Sequence, residues 1–449
     1  MQSQSLAMAK PHLLSLPTEI IQSIYLHCLS PHLPLASPIL ATALSTQHIY
    51  KLTFLHAFWN RTPLVYAGAQ VQQAYEPGPH VQDLFCPLPV PSGETDDAHA
   101  RTERQEAVLG YRWCTFHRAK RYLSEAMSAV MKDLLLTLHL PLLPSDQTRL
   151  DAFIAQLPTR RCTFSATALD GSTIALEYPR RLATALRMTY DGHDPRFDTR
   201  ATPNLTVSPT HVLCLPSHIL TGHPTWTDSR IDFVQMVCSH VNLRTVQHDP
   251  SALSEGMRNA IVQGNHEALL VLIWHASRFA EYQETASHDD RPFEPPAELF
   301  RLVAKRGGPE VATLDQCPGS EAVNNATVSV RLFALLLRAH AESMPRDDPG
   351  ITAWAHRLLT CQGSSKNDRA FAQWVLDWGS DGRSDEYINE RYTLRRLEVE
   401  KVRRPMFRGG CVSRKRKGDE MAERFVEMCG GRIESFGDEV EAVEGAKGG

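Results

Sequence analysis

Apolar residues recur at helical spacing along most of this chain. The first run, Leu13-Leu14-Ser15-Leu16-Pro17-Thr18-Glu19-Ile20-Ile21, predicts a helix that begins near Pro17. Proline suits a first helical turn because its missing N–H has no partner there, and Glu19 lies beside the positive end of the helix dipole. Ile20, Ile21, Ile24, Tyr25 and Cys28 continue as one apolar stripe, which Pro31 and Pro34 close. Two short helical patterns follow, over 35–44 and 48–59. In the second, Ile49, Leu52, Leu55, Phe58 and Trp59 share one side. Such short helices bury little surface alone, so residues 11–60 read as a module that needs a partner.

Residues 1–10 read as disordered, and 68–102 as a linker rich in Gly, Pro, Ser and Asp. Between 103 and 249 the pattern predicts a helical middle region. Thr115 is placed to cap a helix over 116–139, with Tyr122, Leu123, Ala126, Val130 and Leu134 inward. Thr163–Leu169 and Ser172–Tyr178 flank Asp170-Gly171, which predicts a β-hairpin over about 163–178 because both turn positions adopt positive φ. The proline-rich stretch 191–230 reads as loop. From 250 to 402 the pattern is all helical, and Gly264 and Gly307-Gly308 each interrupt a helical run in a similar way. Repeated helix–turn–helix units predict a stacked solenoid. The expected fold is therefore mainly α: an N-terminal three-helix module, an irregular helical domain with one hairpin, and a helical repeat region.

Charge changes the picture at the far end. Residues 391–417 hold eleven Lys/Arg and two Asp/Glu, whereas 418–449 hold nine Asp/Glu and three Lys/Arg. Residues 403–449 accordingly read as a disordered basic-then-acidic tail. Lys401, Arg403 and Arg404, then Arg414, Lys415, Arg416 and Lys417, form two basic clusters like a bipartite nuclear signal, which an import receptor would read by charge. The formal net charge of the whole chain is only −4, which argues against a generally basic nucleic-acid binder. No apolar run reaches a membrane span, and Leu134–Leu143 is broken by Pro141. The ten cysteines form no CxxC pair and fit a reducing compartment, so a cytoplasmic or nuclear location is expected.

Little in the chain suggests a reaction. There is no GxGxxG, GxxxxGK or GxSxG motif. His211, Cys214, His218 and His223, with Cys238 and His240 downstream, could seat zinc by residue type. Among twenty histidines such a group arises by chance, so no metal, no cofactor and no catalytic residue is assigned, and an enzyme is not expected.

Two stretches resemble known families. Leu16-Pro17-x-Glu19-Ile20-Ile21, followed by Ile24, Leu26 and Leu29, resembles the divergent F-box-like module of fungal proteins. The resemblance implies docking on the S-phase-kinase-associated adaptor of a cullin-RING (SCF-type) ubiquitin ligase. It makes Leu16, Pro17, Ile20, Ile21 and Ile24 the adaptor-binding anchors. Gly264-Asn265-His266-Glu267-Ala268-Leu269-Leu270 and Ala304–Val311 are similar to degenerate ankyrin repeats, which implies a protein-binding surface for a client. Together they imply a substrate-receptor adaptor that brings a protein client to the ligase. The alternative is an ankyrin-like scaffold or regulator with no ubiquitin-ligase link.

Overall fold

The structure is a computed structural model. It describes residues 13–30, 32–58, 64–66, 98–137, 140–155, 162–169, 171–178, 186–191, 204–208, 210–239, 241, 247–287, 295–306, 320–339, 343–345, 347–361 and 364–380. Among these the chain is mainly helical and includes a five-stranded antiparallel sheet. It divides into two compact units, the first formed by 1–214 with 239–242 and the second by 215–238 with 243–449. The expected middle region, 103–249, is thus shared between them.

The first unit opens with α1 (Thr18–Cys28), α2 (Pro38–Leu44) and α3 (Gln47–Phe58). Ile21 and Tyr25 of α1 pack with Leu40, Ala43 and Leu44 of α2 and Ile49 of α3, and Leu13, Leu14, Leu16, Leu26 and Leu33 close around them. Ser37 caps α2 by accepting the Ile39 N–H at 3.2 Å, while Gln22 Nε2 donates to Ala43 O at 2.8 Å across to α1. α3 was expected to have one apolar side. Instead Ile49, Leu52, Thr53, Phe54, Leu55, Ala57 and Phe58 are all buried, because α4 (Ala98–Gly110) and α5 (Phe116–Thr137) pack on it as well.

Gln105 joins these elements. Its fully buried amide donates through Nε2 to Ala57 O (2.9 Å) and His211 O (2.8 Å), and its Oε1 accepts the Leu213 N–H at 2.7 Å. The C-terminal end of α3 is thereby tied to α4 and to the strand-like segment at 211–213. Because α4 begins at Ala98, the last residues of the expected 68–102 linker are helical, a correction, while 67–97 lie outside the described residues. The expected inner face of α5 is the buried one.

The hairpin forms as β2 (Cys162–Thr167) and β3 (Thr173–Tyr178), with Gly171 at φ 88° in its turn. It is part of a larger sheet that the sequence reading missed. β1 (Leu64–Tyr66), β4 (Leu186–Asp191) and β5 (Asn204–Val207) complete an antiparallel order β1-β5-β4-β3-β2. One face is buried, through Phe164, Ala166, Ile174, Leu176, Tyr178, Leu186 and Met188. Phe153 of α6 (Pro144–Ala155) lies 5.6 Å from the Phe164 ring and 5.2 Å from Tyr178. The outer edge of β2 is guarded: Leu142 bridges to Ala168, and Arg149 Nη2 donates to Ser165 O at 3.5 Å. The expectation of a loop over 191–230 is corrected too. Besides β5, that stretch holds β6 (Cys214–Leu215), α7 (Ser217–Leu220) and the start of α8 (Asp228–Ser239).

In the second unit α9 (Pro250–Gln263) pairs with α10 (His266–Ser287), α11 (Ala297–Arg306) with α12 (Ser320–Ala339), and α13 (Pro349–Thr360) with α14 (Lys366–Ser380). First helices stack on first helices, α9 on α11 on α13, and second helices on second helices, so the three pairs form two layers. Phe333 stacks on Trp354 at 4.7 Å, with Phe300 and Phe371 edge-on to it. The buried Trp354 Nε1 is satisfied by Ser329 Oγ at 3.3 Å.

α9 and α13 both start with Asp-Pro. Asp249 caps the Ser251 N–H, and Asp348 caps those of Gly350 and Ile351, with proline at the first helical positions. Asp348 also accepts from Arg301 of α11 at 2.7 Å, which links adjacent pairs. Gly264 ends α9 in the left-handed region at φ 71°. A Cβ there would lie 2.4 Å from Arg306 Nη2, and Arg306 donates through Nη1 to Val262 O, covering the orphan carbonyl end of α9. Only glycine provides both the backbone conformation and the space. The second expected turn, Gly307-Gly308, follows the end of α11 but lies outside the described residues.

Three outcomes follow from these contacts. Gln105→Leu removes the partner of the buried Leu213 N–H and of His211 O and leaves Ala57 O with only the 3.4 Å bond from Arg101 Nε, and is expected to lower the unfolding free energy in urea by about 3 kcal/mol. Gly264→Ala is expected to cost about 1–2 kcal/mol by the same measurement, since it forces a Cβ into positive φ and displaces Arg306. For Asp348, burial pushes the carboxyl pKa up, but the hydrogen bonds from Arg301, Ile351 and Gly350 outweigh it and hold the pKa below the ordinary value. A depressed carboxyl stabilises the fold above its unfolded-state pKa, and that contribution is lost as pH falls through the folded-state value. The stability gap between wild type and Asp348→Asn should therefore be present at neutral pH and close in acid below about pH 4.

Candidate functional site

Helical rotation divides the isoleucines of α1. Ile21 is 2% exposed and faces the module core with Tyr25, whereas Ile20 and Ile24, one turn apart, are 48% and 37% exposed. Of the expected anchors, then, Pro17, Ile20 and Ile24 stand on the surface. Leu16 is half-buried against the core, and Ile21 holds the module together rather than facing out. Two residues not singled out from sequence are more exposed still: Leu35, just before α2, at 73%, and Ile39, in its first turn, at 56%. The available signal was that Ile39 falls off the helical spacing set by the inward Leu40, Ala43 and Leu44.

Covering a large aliphatic side chain fully is worth roughly 1.5–3 kcal/mol, and these four are between about a third and three-quarters uncovered. A partner seated on them would gain roughly 4 kcal/mol, which suits the anchors of an interface rather than a whole one. The inner side of α1 is rigid. Thr53 Oγ1 of α3 donates to Tyr25 Oη at 3.3 Å, and burial pushes that phenol pKa up. Leu29 ends the helix at φ 46°, with its N–H on Tyr25 O at 2.6 Å.

Two of the zinc-type residues, His211 and Cys214, have other contacts, and His240 lies outside the described residues. The His211 N–H donates to Phe58 O, and burial, then Arg101, lowers the ring pKa. The Cys214 thiol donates to Thr102 O at 3.5 Å, and burial followed by Glu106 pushes its pKa up to about 12. Among the described residues no group of three or more His, Cys, Asp or Glu could hold a metal ion, and no helix is long and apolar enough to cross a membrane. The nuclear-signal candidates Lys401, Arg403, Arg404, Arg414, Lys415, Arg416 and Lys417 lie outside the described residues. No protein-family model, curated protein or solved structure matches this chain.

Proposed function

We infer that the chain is a substrate-receptor adaptor of a cullin-RING ubiquitin ligase. In this reading α1–α3 are the F-box-like module, which docks on the S-phase-kinase-associated adaptor. The stacked helix pairs of the second unit are the ankyrin-like surface for a protein client. The observation that carries the reading is the pair Ile20 and Ile24: aliphatic residues one turn apart, left uncovered on a helix whose inner side is already packed. A helix presenting i, i+4 aliphatics to an apolar partner groove is a recurrent recognition mode. Chemistry belongs to the assembled ligase, and this chain raises the local concentration of the client beside it.

The test uses the full-length chain, because α3 is packed on α4 and α5 and residues 11–60 would leave that surface bare. Ile20→Asp with Ile24→Asp is expected to reduce co-purification of the adaptor by more than about tenfold while shifting the thermal midpoint by less than about two degrees, since both sites are exposed. Leu169→Asp, on an exposed leucine of the hairpin turn, serves as the control and should leave capture unchanged. Equal capture by wild type and the double variant would sink the docking assignment. Unchanged client binding by a chain with both aspartates would then favour the scaffold reading.

A further inference from the structure

The turn between α4 and α5, residues 111–115, sets aromatic and cationic side chains against α3. Trp113 stacks on Tyr50 of α3, with ring centroids 4.5 Å apart and planes 12° from parallel, and Tyr111 stacks on Trp113 at 5.7 Å. Arg118, in the first turn of α5, lies 5.3 Å over the Tyr50 ring and donates through Nη1 to Trp113 O at 3.2 Å. Three residues on, Arg121 donates through Nη2 to Gln47 Oε1 at 2.9 Å and lies 5.3 Å over the Tyr122 ring. The three stacked rings are half-buried, while Arg112 and Arg121 are exposed.

This surface has an excess of positive charge. Lys51, Arg112, Arg118 and Arg121 are four cations. One carboxylate, Glu125, is shared by Lys51 at 2.5 Å and Arg121 at 3.7 Å, and among the described residues none pairs with Arg112 or Arg118. The chain as a whole has a formal net charge of −4, so the excess is local. Two of the guanidinium groups are fixed in advance. Arg118 is held by a ring and a carbonyl, and Arg121 by a ring and the Gln47 amide, which Tyr122 Oη also holds by donating to its oxygen at 3.0 Å. Little rotamer freedom is then lost when an anion arrives, and each planar fork keeps further N–H groups to give.

Tyr, Trp and Arg are the residue types that most often anchor protein interfaces. The rings here are engaged with one another and with a guanidinium, so charge, rather than a bare ring face for a nucleic-acid base to stack on, is what a partner reads. We propose that this surface docks an acidic segment of a partner protein, whose carboxylates pair with Arg112, Arg118 and Arg121. It lies on α3, the following turn and α5, whereas Ile20 and Ile24 lie on α1, and it is independent of the ligase reading.

Binding to the full-length protein is read by fluorescence anisotropy with three labelled probes. The first is a peptide of about ten residues alternating glutamate and serine, which spans roughly 30 Å when extended. The second has glutamine in place of each glutamate, and the third is an oligouridine of matching length. The glutamate peptide is expected to bind and the glutamine peptide not, and raising the salt from about 50 mM to about 300 mM should weaken binding by about tenfold. Arg112→Glu with Arg121→Glu is expected to weaken it by more than about tenfold. Arg112→Glu alone should weaken it by about threefold with the thermal midpoint within about two degrees of wild type, since that side chain is exposed. Arg149→Glu, the same change of charge on α6, and Ile20→Asp with Ile24→Asp should each leave binding within about twofold of wild type. The proposal is overturned if the glutamate peptide does not bind, if oligouridine binds more tightly than it does, if the Arg112→Glu, Arg121→Glu variant binds as wild type does, or if Arg149→Glu weakens binding as much as that variant.

Discussion

The first unit is organised by a helix that has almost no solvent side. α3 receives α1 and α2 on one flank and α4 and α5 on the other, and its inward residues include Thr53 and Ala57 as well as the large apolar ones. A buried backbone end must still satisfy its carbonyls, and Gln105 does this for Ala57 while also holding His211 and Leu213. The three-helix module is therefore part of a larger core, not a bead on a linker. Since α3 is enclosed, the exposed large aliphatic residues of the three-helix module fall on α1 and around the start of α2, at Ile20, Ile24, Leu35 and Ile39. A partner seated there would be held rigidly to the rest of the unit.

The second unit solves a different problem by repetition. Each helix pair is too thin to bury its own apolar side, so pairs stack and share a core around Phe300, Phe333, Trp354 and Phe371. Polar contacts at helix ends set the spacing between neighbours. Arg301 reaches the capping carboxylate of the next pair, and Arg306 reaches back to the open carbonyl end of the previous one. Both contacts place a cation where a helix end or its cap carries negative charge, so the same residues that terminate helices also align them.

Much of this was readable in the chain. The helical patterns of α1, α5 and α9 are strongly periodic, and the Asp170-Gly171 turn marked the β2–β3 hairpin. Strand β4 was readable too, in the alternation of Leu186 and Met188 with Arg187 and Thr189, but it went unrecognised because the proline-rich sequence around it resembles loop. β1 was not readable: three residues carry no period, and Leu64–Tyr66 becomes a strand only because β5, far along the chain, offers it a partner.

For the candidate site the division is sharper. By itself the sequence determined that α1 is amphipathic, where it starts and stops, and that its aliphatic residues cluster, because propensity, capping and helical period are local properties. It could not determine which isoleucines are covered. Ile20, Ile21 and Ile24 read as one stripe, and only the placement of α2 and α3 turned Ile21 inward and left the other two outside. Burial and proximity depend on contacts between distant segments, and no local pattern encodes them.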